Sequence, residues 1–167
     1  MSMVDGCDAV VHFGAASVER PWAEILESSI KGGYNVYEAA RRHGVKRIVY
    51  ASSIHAVGYV RREEGADTDT DHRPDGLYGV SKCFVEDLAK LYFHKFGIES
   101  ACLRINSCFE KPTDRRHLAT WLSFADLVRL VERCLVAERI GFSVAYGISD
   151  NDEVFFSNHK AAHLGFR

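Results

Sequence analysis

The order of apolar segments in the first third of the chain constrains its fold more than any other feature. Residues 8–13, DAVVHF, form a short β-branched run typical of a buried parallel strand, and residues 45–53, VKRIVYASS, form a second. Between them, residues 22–43 return apolar side chains every three or four positions, which predicts a helix. A strand, a helix and a strand joined by short links make a right-handed βαβ unit, so the sheet is predicted to be parallel.

The rest of the chain repeats this alternation of elements. Residues 78–96 have helical spacing, residues 99–105 read as a third strand, 123–137 as a further helix and 141–149 as a last strand. The apolar face of the 78–96 helix is predicted to consist of Val80, Phe84, Leu88, Leu91 and Tyr92. With 167 residues, the chain is predicted to form one domain over 1–167, an α/β fold with a doubly wound, Rossmann-like parallel sheet.

Charge and composition exclude several classes of function. A net charge of −2 gives no electrostatic basis for binding nucleic acid or an anionic membrane. No apolar run approaches the roughly 20 residues that span a bilayer, and the first residues lack the pattern of a signal peptide, which predicts a cytoplasmic protein. The five scattered cysteines indicate reduced thiols, and His159 and His163 lack the glutamate of a metalloprotease helix, so no metal is expected.

Several candidate residues follow the ends of predicted strands. Gly14 follows the first strand, Ser52 and Ser53 close the second, and residues 105–107 follow the third. Because ligands of open parallel sheets bind outside the carboxyl ends of the strands, these residues are predicted to lie along one rim. The segments 54–77 and 106–122 are then predicted to be the substrate-binding loops.

Tyr78 and Lys82 stand four residues apart at the start of a predicted helix, which places them on one helix face. A free phenol has a pKa of about 10, and a nearby ammonium, the helix N-terminus and a bound cation would each stabilise its phenolate. Such a tyrosine could take a proton from a substrate hydroxyl that Ser53 orients. The alternative is a half-buried aromatic, a solvated charge and a turn serine. This alternative is preferred for any one of the three residues considered singly. A functional site is preferred when Tyr78, Lys82 and Ser53 all lie at one rim of the sheet.

These motifs resemble the extended short-chain dehydrogenase/reductases of the NAD-dependent epimerase/dehydratase family. The likeness runs from GCDAVVHFGAAS (6–17) through YNVYEAARRHGVKRIVYASS (34–53) to YGVSK (78–82) and RINSC (104–108), and so covers most of the chain. The resemblance implies NAD as cofactor, Tyr78 as the proton-transferring residue, and Lys82 as its partner that also binds the ribose. The cofactor-binding residues that it implies are Phe13, Gly14, Ala15, Ser29, Ser52, Tyr78, Lys82, Ile105 and Cys108.

A narrower resemblance is to the uronate dehydrogenases of that family, carried by GAASVERPW, SSIHAVGY, RINSC and RRHLATWLS. It implies oxidation of a hexuronic acid, or a related sugar acid, at its anomeric carbon to an aldarolactone. The substrate-binding residues that it implies are Ser17, Ser53, Ile54, His55, Ser107 and Arg116. A planar guanidinium such as that of Arg116 binds a carboxylate in a bidentate fork that lysine cannot reproduce.

The sequence departs from the family pattern in three places. None of its 13 glycines forms the G-x-x-G-x-x-G turn that receives the pyrophosphate. The chain is therefore expected to lack the first βαβ units of the sheet, either as an internal piece of a longer enzyme or as a gene product with a shortened start. Ser29 stands at a position where relatives usually carry asparagine. Ile54 stands at a position where uronate dehydrogenases usually carry asparagine. Two alternatives therefore stay open, a nucleotide-sugar epimerase or dehydratase of the same family and a non-catalytic fragment that does not bind NAD. The 84–92 helix face is a candidate homo-oligomer contact.

Overall fold

The structure, a computed structural model, describes residues 3–166. The strands in this part of the chain are β1 (Ala9–His12), β2 (Arg47–Ser53), β3 (Glu99–Ile105), β4 (Ser107–Cys108), β5 (Trp121–Leu122) and β6 (Phe142–Gly147). The helices are α1 (Trp22–Glu24), α2 (Gly32–Arg42), α3 (Leu77–Phe96), α4 (His117–Thr120) and α5 (Phe124–Val136).

The main sheet is parallel throughout, in the order β1-β2-β3-β6. The register pairs Val11 with Val49, and Ser53 with Ile105 at the carboxyl end. Among the described residues β1 pairs only with β2, so its other edge carries no strand. The predicted parallel α/β sheet is confirmed, and β3 has the predicted bounds.

Packing on both faces of the sheet confirms the doubly wound arrangement. Alternate residues of β2 point to opposite sides: Ile48 and Tyr50 belong to one buried cluster, and Val49 belongs to another. The first cluster includes Tyr37 of α2 and Val85 of α3, and the second includes side chains of α5 and of the 3₁₀ helix His159–Leu164. Residues 3–166 contain no helix long and apolar enough to cross a membrane.

The helix predicted over 22–43 is present, but its middle is wound as a π-helix over Ile25–Lys31, between α1 and α2. This helix approaches α3 closely just after the π-helical turns. A Cβ atom at Gly33 would lie 2.5 Å from Cγ2 of Val85, so glycine is required for the two helices to pack at this distance. The helix that carries Tyr78 and Lys82 is thus packed against the first crossover helix.

The predicted apolar face of α3 is wrong for three of its five members. Val80, Phe84 and Leu91 are exposed, whereas Lys82 and Glu86 are buried on the opposite face with Val85, Ala89 and Tyr92. The hydrophobicity pattern misleads because polar side chains with partners in the interior occupy positions that would otherwise be apolar. The oligomer contact proposed for the 84–92 face stays a prediction.

The two segments predicted to be loops contain short regular elements. Residues 54–77 include the 3₁₀ turns Ile54–Val57 and Arg62–Glu64 before α3 begins. Residues 106–122 hold β4, α4 and β5, and β4 pairs with β5 in parallel. A hydrogen bond between the Ser107 and Thr120 hydroxyls, 3.0 Å long, ties the ends of this segment together. The segment that follows β3 is therefore held in a defined position beside the sheet.

Candidate active site

A cavity of 660 Å³ lies at the carboxyl ends of β1, β2 and β3 and beside the start of α3. The loop after each of these strands contributes to its wall, as expected for a parallel sheet. The predicted site residues that line it are Phe13, Ala15, Ser17, Ser52, Ser53, Ile54, His55, Tyr78, Lys82, Ile105, Ser107, Cys108 and Arg116. The structure thus brings together, in one place, residues spread over about a hundred positions of sequence.

Two predicted cofactor-binding residues lie outside this cavity. Gly14 lines an adjoining, more open cavity of 730 Å³, which shares Ala15 and Ser17 with the first. Ser29 is buried in the π-helical segment, with its hydroxyl 3.4 Å from that of Ser28. Its side chain is buried in that helix and lines neither cavity, so its part in cofactor binding stays a prediction.

Lys82 is buried beside Tyr78, and its ammonium group uses only part of its capacity to donate hydrogen bonds. Its Nζ donates a 2.7 Å hydrogen bond to the Ala51 carbonyl and lies 5.2 Å from the centre of the Tyr78 ring. The side chain of Lys82 is 3% exposed, and burial lowers its pKa to about 8. An ammonium group has three N–H donors, and Ala51 takes one of them, so two remain for ligand hydroxyls.

The Tyr78 phenol faces the Ser53 hydroxyl. Burial raises the pKa of Tyr78, and the hydrogen bond with Ser53 works in the opposite direction without offsetting it. Ser53 also caps the 3₁₀ turn Ile54–Val57, since its Oγ accepts a 3.3 Å hydrogen bond from the His55 N–H. The tyrosine is therefore paired with a hydroxyl that the backbone holds in place, but its phenolate needs a further positive charge to form near neutral pH.

Because Lys82 is buried, its replacement by an uncharged side chain is predicted to stabilise the folded protein. The folded-state pKa of Lys82, about 8, lies below the ordinary value of 10.5. Between these two pH values the unfolded chain therefore binds more protons than the folded chain. The free energy of unfolding consequently rises as the pH increases through this range. Lys82→Met should raise the free energy of unfolding at neutral pH by roughly 1–3 kcal/mol. The gain should shrink from about pH 8 to about pH 10.5.

This prediction is measured by urea unfolding of both proteins across that pH range. Lys90→Met is the matched control, because Lys90 is an exposed position of the same helix and its replacement should change the free energy of unfolding by less than about 0.5 kcal/mol. A Lys82→Met variant less stable than the parent at neutral pH would contradict the prediction.

The charges around the cavity favour an anionic ligand. Arg116 is exposed and lines the cavity, and no carboxylate within the described residues pairs with its guanidinium. Its neighbour Arg115 is also exposed but does not line the cavity. Lys82 adds a second positive charge, whereas Asp75 is the one carboxylate among the lining residues that the structure describes, and it is paired with His55.

Sequence reasoning missed Glu19, which organises the start of α3. The N-cap residue Gly76 has no side chain to cap the helix, and the Glu19 carboxylate accepts hydrogen bonds from the N–H groups of Leu77 (3.2 Å) and Tyr78 (2.8 Å) instead. Glu19 belongs to the loop after β1, 59 residues before Tyr78. No local pattern signals this contact, because the capping group comes from a distant part of the chain.

A buried ion pair, also missed, lies behind the site. Glu86 accepts hydrogen bonds from Arg104 at 3.1 and 2.9 Å, and from the hydroxyl of Ser52. The Nε2 atom of His72 lies 2.8 Å from the same carboxylate. Burial works to raise the pKa of Glu86, but the hydrogen bonds from His72 and Arg104 outweigh it, and the pKa is lowered.

Comparison with known proteins gives two kinds of match. The model of the NAD dependent epimerase/dehydratase family matches residues 1–127. The uronate dehydrogenase of Pseudomonas putida is 49% identical over 165 residues, which cover 99% of this chain and 62% of that protein. The uronate dehydrogenase of Agrobacterium fabrum is 51% identical over 99% of this chain and 61% of its own length.

The solved structures agree with these relatives. A uronate dehydrogenase variant of Agrobacterium tumefaciens complexed with NAD superposes with a TM-score of 0.96 at 49% identity, over 99% of this chain and 62% of that one. The glucuronic acid dehydrogenase of Chromohalobacter salexigens gives a TM-score of 0.95 at 54% identity, over 98% of this chain and 61% of that one. The chain thus spans about three fifths of the length of the relatives that it matches.

Proposed function

We propose a function from the premise that the chain belongs to the NAD dependent epimerase/dehydratase family. It is part of an NAD-dependent dehydrogenase that oxidises a hexuronic acid, or a related sugar acid, at the anomeric carbon to an aldarolactone. The observation that carries the proposal is the shared cavity, which Tyr78, Lys82 and Ser53 line together with Arg116. The names of the relatives, uronate dehydrogenases at about half identity, support the same substrate class.

The cavity wall fits the nicotinamide end of NAD. Lys82 has two N–H donors without partners among the described residues, which suits the hydroxyls of a ribose. Phe13, Ala15, Ile105 and Cys108 provide apolar surface around it for a flat ring. When bound, NAD would accept the hydride and its cationic ring would supply the positive charge that the Tyr78 phenolate needs.

Side chains of this chain then bind and orient the substrate and accept its proton. Ser53 donates a hydrogen bond to the anomeric oxygen and orients it toward Tyr78. The Tyr78 phenolate accepts the proton of that hydroxyl as the hydride leaves the anomeric carbon, so the carbon–oxygen bond becomes the lactone carbonyl. The Lys82 ammonium, 5.2 Å from the ring centre, stabilises the phenolate. Arg116 holds the uronate carboxylate in a bidentate pair and so fixes which carbon faces Tyr78.

The direct test is formation of NADH from glucuronate and galacturonate, followed by absorbance, with the lactone identified by ¹³C NMR. It is run on the 167-residue chain and on the full reading frame of its gene. A rise in melting temperature with NAD, measured separately, reports cofactor binding without turnover. Binding of NAD with no oxidation of any sugar acid would overturn the substrate assignment, and absence of both responses would favour the non-catalytic fragment.

Arg116→Ala should raise KM for the uronate by about 10- to 100-fold, because a charge-assisted hydrogen bond contributes roughly 1.5–3 kcal/mol. Arg116→Lys should recover only part of this, since an ammonium lacks the planar fork. The control is Arg115→Ala, which removes an equal charge from the adjacent residue outside the cavity and should leave KM nearly unchanged. Equal effects of the two alanine variants would show that net charge, not carboxylate binding by Arg116, is responsible.

A further inference from the structure

We propose that Asp75 is a positioning residue that holds His55 in the tautomer with its proton on Nδ1, so that Nε2 accepts a hydrogen bond from a hydroxyl of the bound sugar acid. The proposal rests on the proposed function for its ligand, but its structural part can be measured without turnover. It also separates two recognition tasks in the cavity, the carboxylate at Arg116 and a hydroxyl at His55.

The geometry fixes which ring nitrogen carries the proton. Both carboxylate oxygens of Asp75 lie 2.9 Å from Nδ1 of His55. An ionised carboxylate only accepts hydrogen bonds, so the nitrogen that faces it must be a donor. In a neutral imidazole the other nitrogen is then an acceptor. The hydrogen bond with Asp75 therefore determines the chemistry that Nε2 can offer.

His55 is placed where that acceptor can meet a ligand. Its side chain is half exposed, it lines the cavity, and its ring stands edge-on to the Tyr78 ring with 5.4 Å between the centres. Within residues 3–166, Nε2 has no hydrogen-bond partner. An acceptor suits a sugar hydroxyl and repels a carboxylate, which indicates that the acid group of the substrate lies away from His55 and toward Arg116.

Asp75 is itself held by close packing. A Cβ atom at Gly58 would lie 2.2 Å from Oδ2 of Asp75, so the carboxylate occupies the space that a side chain at position 58 would need. The backbone of His55 is fixed from the other side by Ser53, which accepts its N–H. The pair therefore joins the loop after β2 to the residue two positions before α3 begins. Gly58→Ala should displace Asp75 from His55 while leaving the carboxylate in the protein.

The first experiment is ¹⁵N NMR of the 167-residue chain labelled at histidine, with His55→Gln used to assign the His55 signals among the eight histidines. His55 should show a protonated Nδ1 and an unprotonated Nε2. Asp75→Ala and Gly58→Ala should both shift it toward the Nε2–H tautomer. A parent chain with the proton on Nε2, or an Asp75→Ala variant that keeps it on Nδ1, would overturn the proposal.

The chain contains a matched control for this measurement. His43 and Asp5 form a similar pair, with Nδ1 3.2 Å from Oδ1, and neither residue lines the cavity. Asp5→Asn should alter the His43 signals and leave those of His55 unchanged. If Asp5→Asn moved the His55 signals as much as Asp75→Ala does, the tautomer would not depend on Asp75 and the proposal would fail.

The second experiment is kinetic. Asp75→Ala should raise KM for the uronate by about 3- to 10-fold with a smaller change in kcat, the loss expected for one neutral hydrogen bond, and Asp5→Asn should change neither constant. Thermal unfolding checks that each variant is folded. A loss in kcat alone would contradict a role in substrate binding. If no sugar acid is oxidised and the NMR result holds, the proposed function fails, whereas control of His55 by Asp75 stands.

Discussion

Replacement of Tyr78 by phenylalanine is expected to lower kcat for sugar-acid oxidation by about 10²- to 10⁴-fold, the range that one group acting in general acid–base catalysis contributes. The substitution removes the hydroxyl that accepts the substrate proton and leaves the ring in place. Because the buried ring keeps its packing and only one hydroxyl is lost, the free energy of unfolding should fall by no more than about 1 kcal/mol. Its KM should change little, since Ser53 and Arg116 still bind the substrate.

The measurement is steady-state formation of NADH with glucuronate, together with thermal unfolding. Tyr59→Phe provides the matched control, because Tyr59 is 69% exposed and does not line the cavity. It should keep the activity of the parent. A Tyr78→Phe variant that retains more than about a tenth of the parent kcat would show that another group takes the proton, and the proposed mechanism would be wrong.

Loss of Glu86 should give the largest change in stability. Glu86→Ala is expected to lower the free energy of unfolding by about 3–5 kcal/mol, because it leaves the Arg104 guanidinium in the interior without a counter-charge. Arg104 is 2% exposed and Glu86 is 1% exposed, so the guanidinium left behind has little contact with bulk water. The Ser52 hydroxyl loses its acceptor as well, and the end of β2 beside the cavity should become less ordered.

Urea unfolding measures this effect. The matched control is Glu27→Ala, which removes a carboxylate paired with Lys31 one helical turn away on the surface, where the change should be below about 0.5 kcal/mol. A double variant with Glu86→Leu and Arg104→Met should recover much of the lost stability, because it removes both charges of the buried pair together. Equal losses for Glu86→Ala and Glu27→Ala would show that the buried pair contributes no more than a surface pair.

The candidate site shows which kinds of contact a sequence can reveal. Tyr78 and Lys82 are one helical turn apart, so their proximity follows from helix geometry as soon as the helix is predicted. The rim residues also followed from sequence, because the ends of parallel strands meet on one side of any such sheet. The buried face of α3 did not follow from the sequence. Lys82 and Glu86 lie on that face, and their hydrogen-bond partners come from other elements.

The sequence by itself determined the parallel α/β fold, the family and the spacing of Tyr78 and Lys82, because each depends on local periodicity or on a contiguous motif. Only the tertiary structure decided that Glu19 caps the helix of Tyr78, that Asp75 holds His55, and that Glu86 pairs with Arg104. These contacts join residues between 18 and 59 positions apart. They depend on how helices and loops pack over the sheet, and no periodicity in the chain records which distant side chains that packing brings within hydrogen-bonding distance.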